Sequence, residues 1–251
     1  MMNILAVIPA RYDSQRFPGK PLVMIGDRPM VQWVYEAAKQ CPSFSQVVVA
    51  TDSQLVAECV EKFGGTVQMT SSSHLSGTDR VAEVATRYPE AVAVANVQGD
   101  QPFVKPEMLT ELVAPYLANN KALPDMTTLA CPLDQHTGYA DPNVVKVLCD
   151  RHNRAIYFSR SPIPYFRNSL PAPVFHHLGL YAFRRDFLAE YAQLTPTPLE
   201  QCEALEQLRV LEHGYAIQVC HTQVATLEIN TPEDLIQAQS LILPSLKAWE
   251  F

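Results

Sequence analysis

Two familiar phosphate-binding signatures are missing from this chain. Neither G-x-x-x-x-G-K-[ST] nor G-x-G-x-x-G can be assembled from its 9 glycines, so P-loop ATPase and dinucleotide-binding readings lose most of their support. The six cysteines (Cys41, Cys59, Cys131, Cys149, Cys202, Cys220) are scattered and include no C-x-x-C pair. They read as reduced thiols, several of them buried, not as a disulfide framework. His176 and His177 are adjacent and lack metal-ligand spacing. No apolar run approaches the length of a membrane span, and the N-terminus has no basic stretch leading into a long apolar one. Membrane insertion and a signal peptide are therefore not expected. An excess of positive charge is absent too. A formal net charge of −7 argues against a nucleic-acid partner, whose binding would rest on phosphate neutralisation. A cytoplasmic enzyme fits this set of absences.

What is present is ample core material. With 47% apolar and 18% charged residues over 251 positions, the chain can fill one large α/β domain or two small ones. Its first half alternates strand and helix. Residues 4–8 form an apolar run that predicts a buried strand, and 29–39 predicts a helix with Pro29 in its first turn. The β-branched run 47–51 predicts a strand, followed by Asp52 as N-cap of a helix to Lys62 that Gly64-Gly65 ends. Residues 66–70 read as a strand, 76–88 as a capped helix, 91–97 as another buried strand, and Pro106 as the start of the next helix. This rhythm predicts an α/β fold with a mostly parallel, doubly wound sheet.

The second half is less regular. Residues 126–131, 144–149, 178–183, 215–220 and 227–229 read as strands, and 185–194 and 199–213 as helices. Thr231-Pro232-Glu233-Asp234 is a strong helix start. Residues 159–173, rich in Pro, Ser and aromatics, read as a long functional loop or an interface. No repeat or linker is evident, so residues 1–243 are expected to form a single domain and 244–251 a C-terminal tail.

Chemistry concentrates after the first strand. The stretch Pro9-Ala10-Arg11-Tyr12 through Pro18-Gly19-Lys20 brings three cations, Arg11, Arg16 and Lys20, into one loop with a Pro-Gly turn. A loop at the end of a first α/β strand is where such sheets place a phosphate-bearing ligand. Arg offers a planar fork to phosphate and Lys a compact point charge. Charge alone fits a solvated basic turn equally well. Asp100, ending the 91–97 strand in Gln98-Gly99-Asp100, would face the same crevice and suits a hard dication; it is equally suited to capping the next turn. Ser76-Gly77-Thr78-Asp79-Arg80 opens a helix whose N–H groups could meet a nucleobase or phosphate, although Thr78 alone reads as an ordinary helix start.

These motifs occur in one order with Tyr157-Phe158-Ser159-Arg160, His177-Leu178-Gly179-Leu180-Tyr181, Leu205-Glu206-Gln207-Leu208-Arg209 and Thr231-Pro232-Glu233-Asp234. The set resembles the 3-deoxy-manno-octulosonate cytidylyltransferases over nearly the whole chain, residues 3–242. The first loop alone is shared with enzymes that activate sialate. The resemblance implies a nucleotide-diphospho-sugar transferase-like Rossmann variant with an inserted dimerisation or lid region. It implies transfer of CMP from CTP to the anomeric hydroxyl of 3-deoxy-manno-octulosonate (Kdo), releasing pyrophosphate, with Mg²⁺ as cofactor and a homodimer as the working form. The product would feed lipopolysaccharide core synthesis.

By matching positions, the resemblance assigns Ala10, Arg11, Arg16, Lys20, Ser76, Gly77, Thr78 and Arg80 to the nucleotide. Arg11, Lys20 and Asp100 would be catalytic. Gln98, Arg160, His177, Tyr181, Glu206 and Gln207 would contact the sugar acid, and Asp100 and residue 230 the metal. Here the chain departs from the family pattern. Asn230 stands where an Asp is usual, and Gln101 where many members have Glu. Asn supplies an oxygen but no charge. Glu228, two residues earlier, either restores part of that charge or is simply solvated. Three readings stay open beside Kdo activation: the same chemistry on 8-amino-Kdo, the same on sialate, and a CTP-binding protein with weak or no catalysis.

Overall fold

The computed structural model describes residues 2–13, 17–74, 76–118, 122–133, 138–168 and 173–246. The chain forms two compact units. The first takes residues up to Leu109 and returns from Thr226 onward; the second is Thr110–Ala225.

In the first unit, β1 (Ile4–Pro9) begins a parallel sheet. A short hairpin, β2 (Met24–Ile25) and β3 (Arg28–Pro29), leads into α1 (Met30–Gln40). There follow β4 (Gln46–Thr51), α2 (Gln54–Lys62), β5 (Val67–Met69), α3 (Gly77–Ala85) and β6 (Ala93–Asn96). The parallel order is β6-β1-β4-β5, with Ala6 of β1 between Val47 and Ala95. β1, β4 and β6 are almost wholly buried, and each carries a continuous apolar run, 47–50 in β4 and 93–95 in β6, as expected where helices cover a parallel sheet. Helix α1 turns Val31, Val34 and Ala38 inward, and α2 turns Val56, Ala57 and Val60.

A satellite core explains why the C-terminal segment returns. Ile25, Met30, Ile229 and Ala238 are buried together, with Phe17, Trp33, Phe103, Leu227 and Leu235 packed around them. Ile229 is fully covered, and its N–H donates to the Asp100 carbonyl at 2.9 Å. This single bond replaces the strand predicted over 227–229, where no ladder forms. The final helix, Pro232–Leu246, begins where Thr231-Pro232 predicts. Asp52 is not the N-cap of α2. Ser53 holds that place, and the Asp52 carboxylate is taken by Arg80.

The boundary between the units falls inside α4 (Pro106–Leu117). In the second unit β7 (Met126–Pro132) is central. β8 (Lys146–Cys149), β9 (Ala155–Ser159) and β10 (Phe175–Arg184) are antiparallel to their neighbours, and β11 (Ile217–His221) runs parallel to β7. α5 (Arg185–Tyr191), α6 (Pro198–Glu203) and α7 (Gln207–Glu212) complete the unit. The single helix predicted over 199–213 is thus two. Ala204 takes φ 50°, a left-handed cap that ends α6, and Leu205 is buried directly after it. β9 falls in a stretch to which the sequence pattern assigned no element. The fold class is α/β, mostly parallel, with flanking helices.

Candidate active site

The first loop is turned back on itself by one glycine. Gly19 has φ 70°, and its N–H donates to the Tyr12 carbonyl at 2.8 Å. A short 3-10 turn, Lys20–Leu22, follows and is anchored by buried Pro21. Gly99 plays the complementary part. A side chain there would meet the Pro9 carbonyl at 2.7 Å, so only glycine lets the turn after β6 close against the end of β1. Those two turns bring Lys20 to Asp100. The Lys20 Nζ donates to Asp100 Oδ2 at 2.8 Å and to Asn230 Oδ1 at 3.2 Å. Both charged partners are largely covered, at 16% and 24% exposure, so the pair is screened less than a surface ion pair.

Behind this cluster lies Glu228. Its Oε1 accepts from Gln101 Nε2 at 3.0 Å and its Oε2 from Asn230 Nδ2 at 3.3 Å. Desolvation of the carboxylate and then repulsion from Asp100 push it above the usual carboxylate range, although the residue's outer surface is open to water. Glu228 does reach Asn230, through a loop bond and not through a shared strand face.

Arg11 stands on the other side of the loop. Its Nη2 donates to the Ser76 carbonyl at 2.6 Å, while its Nε is buried without a partner. Desolvation, followed by the charge of Arg80, lowers its pKa. Ser76 and Asp79 form a reciprocal capping box at the start of α3, each side chain accepting from the other's N–H at 3.0 Å. Gly77 follows against the Pro9 ring. Thr78 is buried, and its hydroxyl accepts from Asn96 at 3.1 Å. Arg80 is fully covered, donating to Thr70 Oγ1 and, at 2.7 Å, to Asp52 Oδ2. Ala10 is buried, bonded through its N–H to Ala50. Gln98 is half-buried in the turn that carries Asp100. Arg16 lies outside the described residues.

In the second unit, β10 has an irregularity between His177 and Tyr181, where Gly179 takes φ 65°. It sets the two rings 5.5 Å apart. His177 is enclosed, and desolvation, with some help from His176, lowers its pKa to about 3, so it is neutral. Its tautomer follows from its neighbours. The Thr128 hydroxyl donates to the Leu180 carbonyl at 2.8 Å and so accepts from His177 Nε2–H at 2.9 Å. Nδ1 is then the acceptor that faces Gln207 Nε2 at 3.5 Å, and Gln207 Oε1 accepts from Tyr181 at 3.0 Å. Glu206 is the half-buried residue that opens α7 beside them.

Arg160 is placed separately. Its guanidinium donates to the carbonyls of Glu203 and Pro142 at 2.8 and 2.9 Å. Sequence reasoning missed the groups that hold it. Glu203 accepts from the Arg160 N–H and the Ser159 hydroxyl, at 2.9 and 2.6 Å. Buried Lys146 donates to three carbonyls, including that of Arg160 at 2.7 Å. A lysine opening an otherwise apolar strand, Lys146-Val147-Leu148-Cys149, was the one available signal.

The cytidylyltransferase family profile matches residues 5–219. A relative from Acaryochloris marina, a 3-deoxy-manno-octulosonate cytidylyltransferase, is 68% identical over 241 residues, covering 96% of this chain and 98% of its own. The chain belongs to this family. A Synechococcus elongatus member with the same name is 54% identical over the same coverage. A solved CMP:2-keto-3-deoxy-manno-octonic acid synthetase, complexed with CTP, matches with TM-score 0.90 at 41% identity, covering 97% of this chain and 99% of that one.

The donor set suits the dication expected from the sequence resemblance. Asp100 and Asn230 present hard oxygens, and they already hold a cation, the Lys20 ammonium. Among the described residues no three His, Cys, Asp or Glu side chains form a metal cage. Such an ion would therefore share its coordination with substrate phosphates and water, as Mg²⁺ commonly does.

Proposed function

We propose that this cytidylyltransferase family member transfers CMP from CTP to the anomeric hydroxyl of Kdo and releases pyrophosphate. The observation that carries this reading is the Lys20 ammonium held between Asp100 and Asn230 at the turn where the first loop meets the end of β6. A triphosphate brought there meets Lys20 and the half-buried Arg11 side chain. The sugar hydroxyl attacks the α-phosphorus in line: it gives up its proton to water, the P–O bond to it forms, and the bond to pyrophosphate breaks with its electron pair leaving on the pyrophosphate. Lys20 neutralises charge on the departing pyrophosphate, and Arg11 orients the phosphates. Asp100 and Asn230 would hold Mg²⁺, which when bound polarises the α-phosphate and lowers the pKa of the attacking hydroxyl.

Ser76 and Gly77 cradle the nucleotide at the start of α3, with Ala10 and Thr78 packed behind it. Arg80 acts on it indirectly, by fixing Asp52 next to Arg11. For the sugar acid we assign Gln98, Arg160, Glu206 and the His177–Gln207–Tyr181 group, whose polar atoms suit one carboxylate and many hydroxyls. We take the working form to be a homodimer in the cytoplasm that feeds lipopolysaccharide core synthesis. Exposed Ile156 and Tyr165 support the first point, and six free cysteines suit a reducing compartment.

The test is pyrophosphate release from CTP and Mg²⁺ with Kdo, 8-amino-Kdo and sialate compared as acceptors. Release with Kdo above the other two is the expected result. Preference for another acid sugar would keep the mechanism and change the substrate. CTP binding without release on any acceptor would overturn the reading.

A further inference from the structure

We propose that Glu228 is a positioning residue: held by Gln101, it fixes the side-chain amide of Asn230 so that the amide oxygen faces Lys20. The proposal rests on the reading above that Lys20 works at the triphosphate.

The bonds form one directed chain in which every donor has an acceptor. Gln101 Nε2 donates to Glu228 Oε1 at 3.0 Å, and Asn230 Nδ2 donates to Glu228 Oε2 at 3.3 Å. Asn230 Oδ1 accepts from Lys20 Nζ at 3.2 Å, and Lys20 donates onward to Asp100 Oδ2 at 2.8 Å. An Asn amide has a donor end and an acceptor end, and only the acceptor end is of use to a cation. Lys20 by itself selects the right end, but only while it stays. Once phosphates draw the ammonium away, the amide is free to turn unless something else holds its nitrogen. An ionised carboxylate can only accept, so Glu228 holds the nitrogen end irrespective of Lys20.

Gln101 is what makes this possible. It is fully buried, and its amide supplies a donor where a carboxylate would repel Glu228. The charges of Lys20, Asp100 and Glu228 sum to −1, the value that an Asp at 230 with a neutral 228 would give. The negative charge has moved two residues along the chain, and the two amides Gln101 and Asn230 accommodate it.

The decisive experiment is a double-mutant cycle of Glu228→Gln and Asn230→Asp, with thermal melts as a control for folding. In the natural background Glu228→Gln should lower kcat roughly tenfold and leave the KM for CTP unchanged, about the effect of one charge-assisted hydrogen bond. In the Asn230→Asp background it should be neutral or beneficial, because a carboxylate needs no amide orientation and gains nothing from a second charge beside it. In ligand-free protein, the Asn230 side-chain N–H₂, assigned by its loss in Asn230→Asp, should exchange severalfold faster in Glu228→Gln.

Equal losses in both backgrounds, or an unmoved exchange rate, would overturn the proposal. A natural enzyme without turnover on any acid sugar would bring down the functional reading instead, and the exchange rate alone would then decide the role of Glu228.

Discussion

Lys20 is a compact cation seated between two oxygens, and its role divides into charge and position. Lys20→Ala should lower turnover by about 10²–10³-fold, the usual effect of removing one group that stabilises developing charge. Kdo affinity should fall far less, and steady-state kinetics against a Kdo titration separates the two. His177 makes a different prediction. It is neutral in the folded chain, with its pKa lowered to about 3, whereas in the unfolded chain it titrates near 6.5. Between those values the unfolded state carries a proton that the folded state refuses. Stability should therefore fall as pH drops below about 6, by about 1.4 kcal/mol per pH unit from this residue, and be unaffected by it above pH 7. Urea unfolding from pH 7 to 4.5 checks this: His177→Gln should be less stable throughout but should show a shallower slope. Single residues also mark the limit of sequence reading. The resemblance assigns Arg80 to the nucleotide; its Nη atoms donate to Thr70 and Asp52, while its Nε is buried without a partner among the described residues, an arrangement that depends on contacts outside the motif itself.

Elements were legible where local signals and burial agree. The helix at Ser76 carries its own capping box, and the runs of β1, β4 and β6 carry continuous apolarity. β9 escaped because its burial follows tertiary contacts and not a period-2 alternation: Phe158 and Ser159, neighbours in sequence, are both buried. Ile156 is 60% exposed, while Ser159 is buried with its hydroxyl on Glu203. The break between α6 and α7 escaped because Ala204, a good helix former, adopts a left-handed cap. That strain is testable. Ala204→Gly should raise stability by about 1 kcal/mol, seen as a rise of a few degrees in Tm, because glycine takes that conformation without the Cβ clash. A loss of stability would mean that the αL cap is not strained. The cation-lined loop was readable as a motif, but the arrival of Asn230 was not. It depends on Ile229 reaching a satellite core assembled from both ends of the chain.

At the scale of the whole molecule, the first unit is closed by residues from Thr226 onward, so nucleotide binding and the stability of that unit should be linked. CTP at a hundredfold above its Kd should stabilise the folded chain by about 2.7 kcal/mol. If Asp100 and Asn230 hold a dication as proposed, chelation of divalent ions should remove a large part of that gain, because it would leave Lys20 as the cation between those oxygens. Melts with CTP, with and without chelator, would show it; an identical shift in both would remove the dication from nucleotide binding.

The central claim is CMP transfer to an acid sugar, and phosphorus NMR of one reaction mixture addresses it most directly. With CTP, Kdo and Mg²⁺, the account predicts loss of the three CTP resonances and growth of one phosphodiester signal, matched by one pyrophosphate. Persistence of CTP, or its conversion to CMP without a phosphodiester to the sugar, would contradict it.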